Sequence, residues 1–427
     1  MNKQYYPALD ETLYSETLPN GLHIMVCHKP GFTKKLCYFA TDYGAVHRQF
    51  TLEGEHYTTP AGIAHYLEHK LFDMPQGDVS REFAARGASV NAFTSYDMTA
   101  YYFSCTEHFD QCLQLLLEFV STPYFTEETV QREMPIIGQE ISMSLDEPGS
   151  RVFENLMPAL YERHPIRIPV LGTQADIEQI TPELLQLCHR AFYNPANMLL
   201  CVVGDVDADQ VAAIARRVLG DEARPMADKD DFPQEEMRHQ QPLVEAEMPI
   251  AMPLFSMAIK ATCPEKGEPA IRREIIGDLA AEALFGESSA LYMQMYEQGL
   301  IDTSFGGGFE ATAGCSFLTC GGDSDYPEQV RDAILKQGAY LAETGIKESD
   351  FLRMKRSAMG RRIRDLDSFD GTCFRLCAYA MSEYDYFRFP ELYDSIEAAE
   401  VQEFLKQVVR PEGLSMSVIY PVKEENV

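Results

Sequence analysis

The chain of 427 residues contains no run of eighteen apolar residues, so no membrane-spanning helix is expected. Residues 1–16 are polar and partly acidic, with no basic-then-apolar segment of the kind that directs secretion. Cations are scarce. There are 36 lysines and arginines against 66 aspartates and glutamates, a net charge of −30 that argues against nucleic acid or an anionic membrane as partner. The same excess keeps a protein soluble, and it would equally suit a negative chamber favouring basic peptides. The 11 cysteines are odd in number, scattered and without a Cys-x-x-Cys pair, which reads as reduced, buried thiols of a cytoplasmic protein. Cys373 and Cys377 are spaced to share a helix face but have no third ligand nearby, so they read as core. No Gly-Lys-Ser/Thr follows Gly306-Gly307-Gly308, which excludes a phosphate cradle and leaves a strand start.

What is present is a large soluble chain with 45% hydrophobic residues, enough for two domains of about 200 residues each. With only 10 histidines in all, the run His65-Tyr66-Leu67-Glu68-His69 stands out. Residues four apart are neighbours on one helix face, so the two imidazoles can close on one ion. Glu68 lies on the same side but displaced along the axis, which suits a carboxylate that takes a proton from water rather than binding metal. A lone histidine on a helix is usually a core or surface residue; two at this spacing with a glutamate between them point to hydrolysis. The order His-x-x-Glu-His is the inverse of the commoner zinc motif. Thr58-Thr59-Pro60 is expected to cap the helix, with Ile63, Ala64, Leu67, Leu71 and Phe72 as its apolar stripe.

A catalytic zinc takes three protein ligands and keeps a fourth position open. The third must be a carboxylate, histidine or cysteine from another element. The segment Thr126 to Leu145 reads as a long helix with Glu133 and Glu140 on one face and Pro135 between them. Taken alone, such a pair is more often a solvated face.

His65-x-x-Glu68-His69 followed by Glu133-(x)6-Glu140 resembles the pitrilysin/insulinase metallopeptidase family, which includes the mitochondrial processing peptidase. The likeness extends over nearly the whole chain, through Asn20-Gly21-Leu22, Asn91-Ala92-Phe93-Thr94, His164-Pro165, Asn194-Pro195-Ala196-Asn197-Met198 and Val203-Gly204-Asp205. The resemblance implies Zn2+ held by His65, His69 and Glu140, with Glu68 as general base. It makes Glu133 a supporting carboxylate that orients a ligand or water. It also implies that Asn91, Ala92 and Phe93 lie on a sheet edge that pairs with an extended peptide substrate.

The chain further reads as a degenerate duplication. Gly62 to Phe72 is answered by Gly277 to Phe285, Gly138-Gln139-Glu140 by Gly360-Arg361-Arg362, and Pro195 with Met198 to Val206 by Pro411 with Leu414 to Val422. The expected class is α+β: two homologous α/β-sandwich domains, residues 1–220 carrying the zinc and 242–427 without it, joined by a charged linker at 221–241. In the second copy Ala280 or a neighbour stands for the first histidine and Arg362 for Glu140. Active relatives carry an arginine and a tyrosine in the C-terminal half; the matching positions here hold Tyr296 and Asp302. An aspartate cannot stabilise an oxyanion. The resemblance therefore implies a zinc endopeptidase completed, as a heterodimer, by a homologous subunit that supplies the Arg/Tyr pair. Two alternatives stand beside it: a homodimer in which Tyr292 or Tyr296 substitutes in place, and a non-catalytic peptide-binding or scaffold subunit.

Overall fold

The computed structural model describes residues 1–263 and 266–422. Two compact units emerge, each assembled from discontinuous segments. The first comprises Met1–Ile141, Pro169–Asp231 and Ile363–Phe387; the second comprises Ser142–Ile168, Phe232–Arg362 and Arg388–Val427. A division at 221–241 keeps both main sheets whole. It does not describe two helical segments, 363–387 and 142–168, that each fold with the other half of the chain.

The first unit is built on a seven-stranded sheet in the order Asn2–Tyr6, Glu11–Thr17, His23–His28, Met198–Gly204, Lys35–Thr41, Thr99–Cys105, Ser89–Thr94. All neighbours are antiparallel except His23–His28 with Met198–Gly204, which run parallel. The interior strand Lys35–Thr41 is buried from Leu36 onward, because both sheet faces are covered there. On one face lie Ile63–Leu71, Phe109–Ser121, Pro182–Phe192 and Ala208–Leu219, whose Leu116, Leu117, Leu185 and Val211 join one apolar core. The other face is covered by Phe369–Met381, packed on Met198–Gly204 and Lys35–Thr41. That helix carries Cys373 and Cys377 into the interior, as expected of core residues. All 11 cysteines are free, and only Cys263 is exposed.

Within the expected linker, Asp228–Lys229 pairs with Gln49–Leu52, so part of that segment is sheet. The zinc-motif helix also begins later than its capping signal implied. Thr58 ends the strand Glu55–Thr58, and Thr59 donates both its amide and its hydroxyl to the Arg48 carbonyl. The helix starts at Ile63 with Gly62 as N-cap. The long helix predicted over 126–145 spans Glu127–Asp146 and retains Pro135 inside it.

The second unit repeats the plan with five strands: Leu243–Met248, Leu414–Pro421, Leu254–Ala261, Cys315–Asp323, Gly306–Thr312. Its parallel pair, Leu243–Met248 with Leu414–Pro421, has the place held by His23–His28 with Met198–Gly204 in the first unit. A single 3-10 turn opened by Pro195 or Pro411 leads into the corresponding strand of each unit. Helix Pro148–Leu160 packs on this sheet much as Phe369–Met381 packs on the other. The helix pair equivalent to the one carrying His65, His69 and Glu140 is joined by an ion pair. The Arg362 guanidinium lies 3.1 Å from Glu274 and 3.7 Å from Asp278, which are four residues apart like the two histidines. Arg362 also lies over the rings of Phe389 and Tyr393.

Arg362 is buried while both carboxylates keep some solvent contact. Arg362→Met, which keeps the stem and removes the charge, should lower unfolding stability by about 1–3 kcal/mol, because two carboxylates lose their counter-charge. Chemical denaturation compared with wild type measures it; no change would mean the pair is solvent-compensated.

Candidate metal centre

Helix Ile63–Leu71 is buried almost all round: Ile63, Ala64, Tyr66, Leu67, Glu68, Lys70 and Leu71 are all buried. His65 and His69 are left on the one partly open stripe, a direct outcome of their spacing of four. The entry to this helix is set by Gly62 at φ +79°, where a Cβ would come within 2.3 Å of the Leu171 carbonyl oxygen. Only glycine allows that left-handed turn and that close approach.

The facing helix Glu127–Asp146 is fastened to the first by polar contacts. Tyr66 is fully buried, and its hydroxyl donates to the Val130 carbonyl at 2.5 Å. Asp73 accepts from both Lys70 and Arg132, tying the end of the histidine helix to the residue before Glu133. Lys70 is 0% exposed, so this pairing is what allows a lysine to sit there. Asp73 is itself partly buried, which would raise its pKa, but the two cations hold it below the usual carboxylate range.

Between the helices, one ligand atom each from His65, His69 and Glu140 lies within 4.8 Å of the others. Glu140 Oε2 stands 3.7 Å from His65 Nε2 and 3.5 Å from His69 Nε2. Zinc bonded at about 2.0–2.2 Å in tetrahedral geometry spaces its ligand atoms about 3.3–3.6 Å apart; the 3.5 Å edge falls in that range and the 3.7 Å edge just beyond it. Burial, with His69 adjacent, pushes the His65 imidazole down to about 3, leaving it neutral with a free lone pair at pH 7. His65 Nδ1 is buried without a hydrogen-bond partner among the described residues, and its Nε2 faces the cluster.

Glu133 does not join the cluster. It meets the far side of His69, with Oε1 at 3.1 Å from Nδ1. Burial lowers the pKa of His69, but the Glu133 bond and the charges of Glu140 and Glu68 outweigh it and hold it above the usual range. A carboxylate on Nδ1 fixes the tautomer that presents Nε2 to a metal. Glu68 is only 8% exposed. Burial raises its pKa, opposed by a hydrogen bond from Thr94 and by His69, while Glu140 adds to the rise.

Asn91, Ala92 and Phe93 lie on Ser89–Thr94, the outermost strand beside Thr99–Cys105. The Asn91 side chain accepts from the Ala92 amide at 2.9 Å. Successive side chains alternate faces. Thr94 reaches Glu68 with a 2.7 Å bond, while Phe93 turns to the opposite face. There it lines a cleft of ≈ 570 Å³ with Tyr38, Tyr102, Asp370, Phe374 and Arg375. The strand thus borders the metal cluster through Thr94 and not through Phe93. Thr94 belongs to the Asn91-Ala92-Phe93-Thr94 run, but nothing in the sequence gave it Glu68 as a partner, and the Lys70–Asp73–Arg132 link carried no signal beyond lying near the motifs.

In the second unit, Tyr296 is 47% exposed, and its ring lies parallel to that of Tyr292 at 6.3 Å. Asp302 accepts from the hydroxyl and amide of Ser304, bonds that keep its carboxyl below the usual range and therefore anionic.

Glu133→Ala should weaken zinc affinity by about 10–100-fold without unfolding the protein, read by competition with a chromogenic chelator. Unchanged affinity would remove Glu133 from the ligand-orienting role.

Comparison with known proteins agrees with this geometry. Residues 53–174 match the Insulinase (Peptidase family M16) domain, and residues 179–358 match the Peptidase M16 inactive domain. The uncharacterized zinc protease YmfH of Bacillus subtilis (strain 168) is 36% identical over 97% of this chain and 98% of its own length. An uncharacterized zinc protease of Rickettsia felis is 27% identical over about half of each chain, 49% and 50%. Among solved structures, an M16-like peptidase from Alicyclobacillus acidocaldarius superposes with a TM-score of 0.93 at 30% identity, covering 97% of this chain and 99% of that one. A protease from Helicobacter pylori shares the fold, with a TM-score of 0.79 at 18% identity over 96% and 99% of the two chains. The motif, the duplicated fold and these matches together place the chain in the insulinase family of zinc metallopeptidases, peptidase family M16.

Proposed function

We propose that this chain is a zinc-dependent endopeptidase acting on peptides or unfolded protein segments. The observation that carries the reading is the convergence of His65, His69 and Glu140 beside the buried carboxylate of Glu68. His65 Nε2, His69 Nε2 and Glu140 Oε2 would hold the metal, and Glu133 would orient His69. When bound, zinc supplies Lewis acidity toward a carbonyl oxygen and brings the pKa of water to about 7. Glu68 accepts the proton of the attacking water and returns it to the leaving nitrogen. The strand Ser89–Thr94 offers an edge on which an extended peptide can pair by main-chain hydrogen bonds, with Asn91, Ala92 and Phe93 next to the substrate.

The second unit carries Tyr296 and Asp302 where active relatives carry arginine and tyrosine, and an anionic Asp302 repels a developing oxyanion. On that chemistry the working enzyme is a heterodimer with a homologous subunit that contributes the cation and the hydroxyl. The exposed Tyr296 beside Tyr292 favours a second arrangement, a homodimer in which a tyrosine serves in place. No helix among the described residues is long and apolar enough to cross a membrane. Eleven free thiols favour a reducing compartment, and the cytoplasm is the proposed location.

Glu68→Gln should retain zinc and fold while lowering peptide turnover by about 10²–10⁴-fold, measured with a quenched fluorescent peptide library. A fully active variant would sink the assignment. Glu140→Ala should lose bound zinc by elemental analysis; unchanged metal content would point to another third ligand. For the heterodimer, turnover by the isolated chain should rise when a homologous zinc-free subunit is added, and a rate indifferent to any such subunit refutes it.

A further inference from the structure

The strand beside the metal cluster ends in a side chain that the mechanism above does not use. Thr94 Oγ1 donates to Glu68 Oε2 at 2.7 Å. Among the described residues, no hydrogen bond is recorded to Glu68 Oε1. The two carboxylate oxygens are therefore distinguished, one occupied by a fixed donor and the other available. Thr94 is itself pinned. Its backbone is in register with Thr99 on the neighbouring strand. Thr99 is fully buried and donates to the Tyr43 carbonyl at 2.9 Å, with its hydroxyl 3.4 Å from that of Thr94.

A glutamate has three side-chain torsions, and the last is a broad, soft rotation about the carboxylate. Packing can place the carboxyl carbon without fixing which oxygen points where. A proton acceptor must lie within hydrogen-bond reach of the proton it takes, so an undefined last torsion spreads the base over unproductive orientations. One short hydrogen bond from a strand residue removes that freedom.

We propose that Thr94 is a positioning residue. It fixes the Glu68 carboxylate through Oε2, leaves Oε1 as the oxygen that accepts the proton, and ties the orientation of the base to the strand that receives the peptide. This rests on the peptidase reading, with Glu68 as its base. Residues 91–93 would present main-chain groups to the substrate, and the next residue along the same strand holds the base. Substrate alignment and base alignment then share one rigid element, so a displacement of the strand moves both together.

The test compares Thr94→Val and Thr94→Ser with the parent protein. Valine keeps the β-branched shape suited to a strand and removes only the hydroxyl; serine keeps the hydroxyl. With zinc content equal to the parent's, Thr94→Val should lower kcat by about tenfold or more while KM stays within about twofold, and Thr94→Ser should recover most of the loss. A crystal structure of Thr94→Val should show the Glu68 carboxylate rotated from its parental orientation. The proposal is overturned by parental kcat in Thr94→Val, by a serine variant as impaired as the valine one, or by an unmoved Glu68 in that crystal structure. Should Thr94→Val fail to fold, Thr94→Ala carries the same comparison. A parent that cleaves nothing, alone or with a homologous zinc-free subunit, and so matches Glu68→Gln would instead count against the peptidase reading, and the carboxylate orientation in the crystal structure would then decide the role of Thr94.

Discussion

The fastening of two helices to each other is the constraint on which this chain's chemistry depends. Two of the proposed ligands come from Ile63–Leu71 and the third from Glu127–Asp146, so a metal geometry built on them is only as good as the fixed distance between these elements. Apolar packing sets that distance loosely. The bond from Tyr66 to the Val130 carbonyl and the sharing of Asp73 by Lys70 and Arg132 set it specifically, within one turn of Glu133 and about three turns of Glu140. Buried polar contacts of this kind contribute modest net stability, but leaving any member unpaired is costly. They therefore select one helix register over its neighbours, which is what a site with ligand edges of 3.5 and 3.7 Å requires.

The duplicated unit shows the same scaffold with an ion pair in place of the candidate metal ligands. Two side chains four residues apart on one helix face a third from the second helix after the outer strands. In the first unit they are His65, His69 and Glu140; in the second they are Glu274, Asp278 and Arg362. The second arrangement supplies its own cation, covalently attached and buried. A site whose positive charge is a guanidinium has no exchangeable position, and so it can brace the helix pair but cannot activate water.

Much of this was legible in the residue order. The repeat of Pro195 before Met198 and Pro411 before Leu414 marks equivalent strands, because a proline-opened turn fixes the chain direction locally. The helix expected over Thr126 to Leu145 is found at Glu127–Asp146, since helical spacing of apolar residues is a local pattern. The helix start lies beyond its composition signal. Thr58-Thr59-Pro60 has the composition of a cap, but Thr58 is held in a strand pair with Gln49 and the entry geometry belongs to Gly62. Cross-strand pairing is non-local, and local composition does not report it. The exchanged helices, 148–160 and 369–381, were likewise invisible, because nothing in an amphipathic sequence names the sheet it will cover.

By itself the sequence determined the chemistry available: two imidazoles at helical spacing, a carboxylate between them, and two more glutamates downstream. Covalent geometry decides those relations, since a helix fixes residues four apart as neighbours whatever surrounds it. It also placed Glu133 and Glu140 on one face of one helix. That Glu140 stands with His65 and His69 while Glu133 meets the far side of His69 was set by the docking of the two helices. The pairing of Glu68 with Thr94, 26 residues away, was decided there too. Such relations depend on packing summed over distant segments, and no short stretch of the chain contains that sum.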